Sequence, residues 1–207
     1  MATEQACIRV VDDDALVLRS LGRLLQSAGY AVRTFSSSQD FLAEYSDGVP
    51  GCVVMDLSMP GLDGLELQQA LAKRVGAPPV IFISGQGSVA SSVKAMKAGA
   101  VDFLTKPFDE RQLIGAVNAA VEKDRASRSA HAERAAIEAK LITLTPRERE
   151  VLERVVDGKL NKQIAAELGT AEKTVKVHRA CMMRKMQVAS LAGLVRVWTA
   201  IQPPAIA

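Results

Sequence analysis

The sequence predicts two domains, an α/β domain with a doubly wound parallel five-stranded sheet and an all-α domain that contains a helix-turn-helix. Short apolar runs alternate with helical patterns in the first part of the chain, whereas the last part shows helical patterns alone. Charge divides in the same way: residues 1–124 hold 11 Lys and Arg against 15 Asp and Glu, and residues 125–207 hold 15 against 8. Unless this is a chance partition of surface charge, the two halves have different partners, and the basic half suits nucleic acid.

Composition and the cysteine pattern narrow the class of protein. The 207 residues are 48% hydrophobic, which is enough to form real cores and argues against a disordered chain. No apolar run reaches the ~18 residues of a membrane span. The polar segment 1–5 lacks the basic region followed by an apolar region that is typical of a signal peptide. Cys7, Cys52 and Cys181 lie far apart without metal-ligand spacing, which fits free thiols in a reducing compartment. We therefore expect a soluble, cytoplasmic protein with no membrane partner.

Five strands of the first domain are predicted by runs of four or five apolar residues that end in polar or turn residues. This pattern is typical of strands buried on both faces of a sheet. The predicted strands are Cys7–Val11, Ala31–Phe35, Cys52–Asp56, Val80–Ser84 and Val101–Thr105. Their alternation with helices predicts a parallel sheet covered on both faces.

Helices are predicted between and after these strands from the spacing of apolar residues. They are Ala15–Ala28, Ser37–Tyr45, Gly64–Arg74, Ser88–Ala98 and a helix that begins near Asp109. Residues 117–141 contain no Gly or Pro, so they predict a semi-rigid helical connector, in which Ser127–Ser129 allow a flexible break. We accordingly expect a first domain over residues 1–124, a helical linker over 125–141 and a second domain over 142–207.

The second domain is predicted to be helical throughout. Thr145 and Glu148 form a capping box around Pro146, and the helix that they begin should end near Gly158. Further helices are predicted over Asn161–Leu168, Ala171–Met186 and Ser190–Ile201. The short turn at Gly169 and Thr170 makes the middle pair a helix-turn-helix.

The second helix of this pair has two different faces. One face packs and consists of Val175, His178, Met182 and Met186, so we interpret His178 as a core residue without a metal or catalytic role. The other face is basic with small apolar residues, namely Lys173, Lys176, Val177, Ala180 and Arg184. Lysine can donate to guanine edges or phosphates and valine can contact a thymine methyl, so this face suits a DNA major groove. A solvated basic face on a core helix is the alternative.

Polar residues end several of the predicted strands. Asp12–Asp14 follow the first strand, Asp56 ends the third, Ser84 ends the fourth and Lys106 comes just after the fifth. Ligands of open parallel sheets bind at this edge, and carboxylates that meet there repel each other unless a cation such as Mg²⁺ joins them. A carboxylate nucleophile, a hydroxyl, a lysine and a metal are the groups required for phosphoryl transfer onto an aspartate. Individually, these residues could be helix caps, turn residues or solvated side chains.

The first domain resembles the receiver domain of two-component response regulators. The resemblance rests on Val11–Asp14, Met55–Gly61, Ala95–Phe103 and Lys106–Phe108, in the order and spacing of that family, and it covers residues 6–124. It implies a cis peptide bond before Pro107. It also implies a phosphorylated aspartate, a magnesium site and a switch residue.

The resemblance assigns a role to each residue at the strand ends. Asp56 would be the phospho-acceptor, and Asp12, Asp13, Asp56 and the backbone carbonyl of Ser58 would hold Mg²⁺. Ser84, where the family often has Thr, and Lys106 would contact the phosphoryl group, and Phe103 would be the aromatic switch residue. We add the hypothesis that Ser58 and Gln86 flank the attacking water and tune the lifetime of the phosphorylated state.

The second domain resembles the LuxR-type helix-turn-helix. Leu144–Leu152, Asn161–Ala165 and Thr174–Arg179 carry this resemblance, which covers residues 141–202. It implies that Lys176 and Val177 reach bases, while the DNA-binding residues outside the base contacts are Lys162, Lys173, Thr174 and Arg179. The last helix, with Leu191, Leu194, Val195 and Trp198, would be a dimer surface or would simply close the core. A basic residue of some family members is replaced by Ala180, so base preference is expected to differ.

Together the resemblances indicate a response regulator of the FixJ/NarL type, with the FixJ-like branch most similar. Such a protein is phosphorylated by a sensor histidine kinase, dimerises through Ser88–Thr105, binds promoter DNA and regulates transcription, here expected to be activation. RNA polymerase is a candidate further partner. The alternative is a phosphorylation-independent DNA-binding regulator whose receiver only dimerises. A phosphatase of the haloacid dehalogenase type is disfavoured because Ser58 stands where its second acid is needed, and an RNA-binding role because stacking aromatics are lacking.

Overall fold

The computed structural model describes residues 5–46, 48–74, 76–85 and 89–202. The chain divides into two compact units, residues 1–129 and 130–207. The predicted domain boundaries at residues 124 and 141 stay a prediction. None of the described helices combines the length and apolar character that crossing a membrane requires.

The first unit contains a five-stranded parallel sheet flanked by helices, which confirms the predicted fold class. Its strands are β1 (Cys7–Val11), β2 (Ala31–Phe35), β3 (Gly51–Asp56), β4 (Val80–Ser84) and β5 (Asp102–Thr105). Its helices are α1 (Ala15–Ser27), α2 (Ser38–Glu44), α3 (Gly64–Ala72) and α4 (Val89–Lys97), and α5 (Glu110–Ile142) begins in this unit and continues past residue 129. Ser88, where the sequence begins the fourth helix, lies outside the described residues. The described ends differ from the predicted ones by at most about two residues, the usual uncertainty of helix and strand ends.

The sheet has the order β2-β1-β3-β4-β5, so the direction of winding reverses between β1 and β3. Successive side chains of β3 point to opposite faces of the sheet, and each face has its own hydrophobic core. Cys52 and Val54 belong to a core with Leu25 of α1, whereas Val53 and Met55 belong to the core on the opposite face. All four of these β3 side chains are fully buried, as the continuous apolar run predicts.

The helix α5 is continuous from Glu110 to Ile142, so the flexible break that the sequence allows at Ser127–Ser129 is not formed. Serine lowers helix propensity only slightly. An ion pair between Arg128 and Asp124, with 2.7 Å between Arg128 Nε and Asp124 Oδ2, also supports the helix at this place. The peptide bond between Lys106 and Pro107 is cis, as the receiver resemblance implies.

The second unit is helical, and its described helices after α5 are α6 (Pro146–Val156), α7 (Asn161–Leu168), α8 (Glu172–Met186) and α9 (Leu191–Ile201). The predicted capping box at the start of α6 is present. Thr145 Oγ1 accepts from the Glu148 amide, and Glu148 Oε2 accepts from the Thr145 amide. The core of this unit includes Leu152, Val175 and Met182, all fully buried.

We expect Gly51→Ala to destabilise the first unit by about 3 kcal/mol. A Cβ atom at Gly51 would lie 1.9 Å from the backbone carbonyl oxygen of Cys7 on the neighbouring strand, which cannot move away cheaply. The control is Gly115→Ala in α5, where no described atom lies within 4 Å of the added carbon. That variant should gain about 0.5–1 kcal/mol. Calorimetric unfolding measures both, and equal losses in the two variants would contradict the clash.

We expect Glu148→Gln to destabilise the second unit by about 2 kcal/mol at neutral pH. Burial opposes ionisation of Glu148, but hydrogen bonds from Lys185 and from the Thr145 amide outweigh it and hold the pKa below its usual 4.5. The stabilisation is therefore complete above pH 4.5 and is lost as the pH falls through the lowered pKa of the folded state.

Urea unfolding followed by fluorescence of Trp198, the single tryptophan of the chain, measures this effect in the second unit. Glu150→Gln is the control, because the ion pair of Glu150 with Arg147 is exposed and is worth less than about 0.5 kcal/mol. The wild type and Glu148→Gln should converge in acid. A stability difference between them that stays constant down to pH 3 would exclude the proposed charge effect.

Candidate functional site

Two acidic side chains meet where the winding of the sheet reverses. Asp12 directly follows β1, and Asp56 is the last residue of β3. Val11 pairs with Met55 in the sheet, so the two aspartates occupy the next neighbouring positions at the carboxyl edge. Both are nearly inaccessible, with 2% of Asp12 and 8% of Asp56 exposed. The strand ends therefore place two carboxylates side by side out of water.

Lys106 connects these carboxylates from the end of β5. Its Nζ donates to Asp12 Oδ2 at 3.0 Å and to Asp56 Oδ1 at 2.9 Å. Two backbone amides hold the other oxygens: Asp14 N donates to Asp12 Oδ1 at 2.9 Å, and Ser58 N donates to Asp56 Oδ2 at 2.6 Å. In each carboxylate, one oxygen accepts a hydrogen bond from Lys106 and the other accepts one from a backbone amide, and these two bonds fix its orientation.

The electrostatics of this cluster reflect burial and shared charge. Burial raises the pKa of Asp12, and the Asp14 amide and Lys106 offset this only in part. Burial lowers the pKa of Lys106, but its hydrogen bonds to Asp56 and Asp12 outweigh that effect, so its pKa lies above the usual 10.5. The lysine therefore stays charged at neutral pH, and one ammonium faces two carboxylates.

This donor set fits a hard divalent cation. Asp12 and Asp56 offer carboxylate oxygens, and the exposed Asp13 and the Ser58 carbonyl adjoin them in the chain. Magnesium prefers oxygen ligands of these types. Within the described ranges, no three His, Cys, Asp or Glu side chains already meet as a metal-binding group. The carboxylates are instead held by Lys106, so binding of a cation would require Asp13 or the carbonyl to join them.

Two further predicted residues of the first unit lie on β4 and β5. Ser84 is the buried last residue of β4. Phe103 is partly buried in β5, and its ring centroid lies 6.3 Å from that of Phe82 on β4. Ser58 is exposed, whereas Gln86, the other residue of the water hypothesis, lies outside the described residues. The sequence interpretation missed the two backbone amides, although an Asp that accepts from the amide two residues later is a common turn pattern.

The second unit exposes the basic face that its sequence predicts. Lys173, Lys176, Ala180 and Arg184 of α8 are exposed, as is Val177, an apolar side chain left 55% accessible. The opposite face is buried at Val175, Met182 and Met186 and partly buried at His178, as predicted. The Lys162 side chain on α7 and Thr174 on α8 are exposed as well. The helix therefore presents Lys173, Lys176 and Val177 on a single accessible face.

The cations of this unit differ in their partners. Lys185 donates to the buried Glu148 at 2.6 Å, and Arg154 and Lys159 both pair with Glu167. Lys176 pairs with Glu172 one turn earlier on α8, at 3.0 Å between exposed side chains. Arg179 instead donates to a neutral acceptor, Asn161 Oδ1, at 3.1 Å.

The last helix, α9, contributes to core closure, one of the two roles that its sequence allows, and its role as a dimer surface stays a prediction. Leu194 is fully buried and Trp198 packs against the core of the second unit. Leu191 and Val195 remain 41% and 38% exposed. Core closure thus uses one side of α9, and the other side leaves two apolar residues accessible.

Comparison with known proteins assigns the first and second units to two different families of domains. Residues 8–118 match the response regulator receiver domain, and residues 142–198 match bacterial regulatory proteins of the luxR family. Nodulation protein W of Bradyrhizobium diazoefficiens is 45% identical over 95% of this chain and 86% of its own length. Transcriptional regulatory protein FixJ of the same organism is 41% identical over 94% of this chain and 95% of its own length. The solved structure of response regulator StyR has a TM-score of 0.85 at 43% identity and covers 94% of this chain and 98% of that one.

We expect Lys185→Ala to cost about 2–3 kcal/mol of stability in the second unit, because it leaves the buried Glu148 carboxylate without its cation. Lys176→Ala is the matched control on the same helix and should cost less than about 0.5 kcal/mol, because its ion pair is exposed. Urea unfolding followed by Trp198 fluorescence compares the two. If Lys176→Ala is the more destabilised variant, Lys176 has a structural role and its side chain is not available to a ligand.

Proposed function

Because the chain belongs to the two-component response regulators that join a receiver domain to a LuxR-type DNA-binding domain, we propose that phosphorylation of Asp56 controls its binding to promoter DNA. The observation that carries this proposal is the contact of Lys106 with both Asp12 and Asp56. A sensor histidine kinase in the cytoplasm would supply the phosphoryl group, and the DNA-bound form would regulate transcription by acting on RNA polymerase.

The chemistry at Asp56 is a phosphoryl transfer from a phosphohistidine. A carboxylate oxygen of Asp56 forms a bond to phosphorus as the bond from phosphorus to the histidine nitrogen breaks. The bonding electrons stay with that nitrogen, which takes up a proton. The amide of Ser58, 2.6 Å from Asp56 Oδ2, orients the carboxylate, and Lys106 offsets the negative charge around it.

Magnesium is the cofactor that this site would hold, through Asp12, Asp13, Asp56 and the Ser58 carbonyl. When bound, the ion neutralises charge on the phosphoryl oxygens. Ser84 and Lys106 would donate to the same oxygens from the ends of β4 and β5. The site does not suit rapid phosphate-ester hydrolysis, because Ser58 cannot replace the second acid, so only slow loss of the chain's own phosphoryl group is expected.

The proposed output of phosphorylation is dimerisation through α4 and β5. Val89, Val93 and Met96 of α4 are 82%, 44% and 47% exposed, an unusual accessibility for apolar residues on one helix. Phe103 lies on β5, which pairs with the Ser84 strand and contacts α4, so movement of the Ser84 hydroxyl toward a phosphoryl group would alter the packing of Phe103. Two receivers joined at this surface would bring together two LuxR-type domains.

In the DNA complex, α8 would lie in the major groove. Lys176 and Val177 would contact bases, because both are exposed at the centre of the accessible face. Lys162, Lys173, Thr174 and Arg179 would contact the sugar-phosphate backbone or adjacent bases. A dimer would bind two half-sites related by two-fold symmetry.

We expect the wild-type chain with Mg²⁺ to sediment as a monomer and to shift to a dimer when beryllium fluoride, a mimic of the phosphoryl group, is added. Asp56→Asn should stay monomeric, because it lacks the acceptor carboxylate. Glu44→Gln, which removes an exposed carboxylate that pairs with Arg33, should shift like the wild type. A dimer in Asp56→Asn under the same conditions, or no shift in the wild type, would contradict control through Asp56.

A further inference from the structure

The side chain of Asn161 joins the two helices of the helix-turn-helix. Asn161 is the first residue of α7, and its Oδ1 accepts a hydrogen bond from Arg179 Nη1 in the middle of α8, at 3.1 Å. Both residues are of intermediate exposure, so the contact is partly protected from water and Arg179 is still partly accessible. The position of the Arg179 head group is therefore defined relative to both helices.

The chemistry of this partner distinguishes Arg179 from the cations of the unit that pair with carboxylates. Lys185, Arg154 and Lys159 are each paired with a carboxylate, which neutralises part of their charge. Asn161 is neutral, so it orients the guanidinium without reducing its charge. A guanidinium has several N–H donors in a planar fork, and one hydrogen bond to an amide oxygen leaves others for a phosphate.

The groups around Asn161 also favour the binding of an anion. The residue before it, Leu160, has no side chain able to accept from the first amides of α7, and the nearby Gln163 Oε1 accepts from the amide of Leu160 itself at 2.8 Å. The positive end of this helix is therefore not capped by the side chain of its N-cap residue. Lys162 follows it directly and is exposed. A phosphate held by Arg179 at this point would meet two further sources of positive potential.

We propose that Asn161 is a positioning residue for DNA binding: it holds the Arg179 guanidinium in place, so that a backbone phosphate binds a side chain that is already ordered. This rests on the proposed function, because it assigns a role within the same DNA surface. Arginine loses much side-chain freedom when it binds, and an arginine oriented in advance loses less. Removal of Asn161 should therefore weaken DNA binding about two- to tenfold without removing the contact itself.

The experiment measures binding of the full chain, with Mg²⁺ and beryllium fluoride, to a fluorescent mixed-sequence DNA duplex over a series of KCl concentrations. Arg179→Ala should reduce affinity and lower the slope of log K against log salt by ~0.9, the value for one phosphate contact. Asn161→Ala should reduce affinity about two- to tenfold with the slope unchanged. In the Arg179→Ala background, Asn161→Ala should have no further effect.

Two variants sharpen the comparison. Asn161→Asp places a carboxylate against Arg179, so both affinity and slope should fall as in Arg179→Ala. Arg147→Ala removes a cation that is already paired with Glu150 at 2.7 Å and should leave the slope at the wild-type value. Thermal unfolding of each variant shows whether the second unit remains folded.

The outcomes separate the inference from the function on which it rests. If Asn161→Ala weakens binding equally with and without Arg179, Asn161 acts through the helix and the positioning role is wrong. If Asn161→Ala leaves affinity unchanged in the wild-type background, it is also wrong, while DNA binding stands. If the wild-type chain fails to bind the duplex at any salt concentration, the proposed DNA-binding function is itself overturned.

Discussion

The ion pairs of Lys106 with Asp12 and Asp56 are the constraint on which the first unit depends. Two carboxylates buried side by side repel each other and are costly to remove from water. One ammonium and two backbone amides offset that cost, and all of them must arrive from different segments of the chain. The order β2-β1-β3-β4-β5 brings the segments together, because it places the end of β1 beside the end of β3 and leaves β5 to supply the lysine. The strand order thus brings together the groups that offset the cost of burying two carboxylates.

In the second unit the charged groups that must be accommodated are lysine and arginine side chains. A DNA-binding surface needs cations that are accessible to phosphates, whereas the core of this unit contains an ion pair. The unit separates the two requirements by position. Lys185 faces inward to Glu148, where burial makes the pair structural, whereas Lys173 and Lys162 are exposed. Arg179 differs from both groups, because it is held by a hydrogen bond to the neutral side-chain amide of Asn161 and keeps its charge.

The sequence predicts most of this architecture, and the parts it misses share a physical cause. Strand positions follow from apolar runs, so β1 and β4 were predicted with their observed ends, and the capping box at Thr145 follows from local spacing. The break at Ser127–Ser129 is not formed, because propensity is weak beside helix-stabilising neighbours and the Arg128 ion pair. The sharing of Lys106 by two aspartates depends on side-chain rotamers and on distances between segments remote in sequence. The hydrogen bond between Asn161 and Arg179 also has no local signature, because 18 positions separate its partners.

The position of Lys106 also explains how a chemical change at one carboxylate could reach a distant surface. Addition of a phosphoryl group to Asp56 replaces a carboxylate by a more highly charged group that extends farther from the strand. A lysine shared by two carboxylates must then divide its hydrogen bonds differently. Lys106 directly follows β5, the strand that carries Phe103 and that contacts α4. Packed elements rearrange between discrete states and do not deform continuously. The proposed function therefore requires only that a shift of this lysine favour one arrangement of β5 and α4 over another.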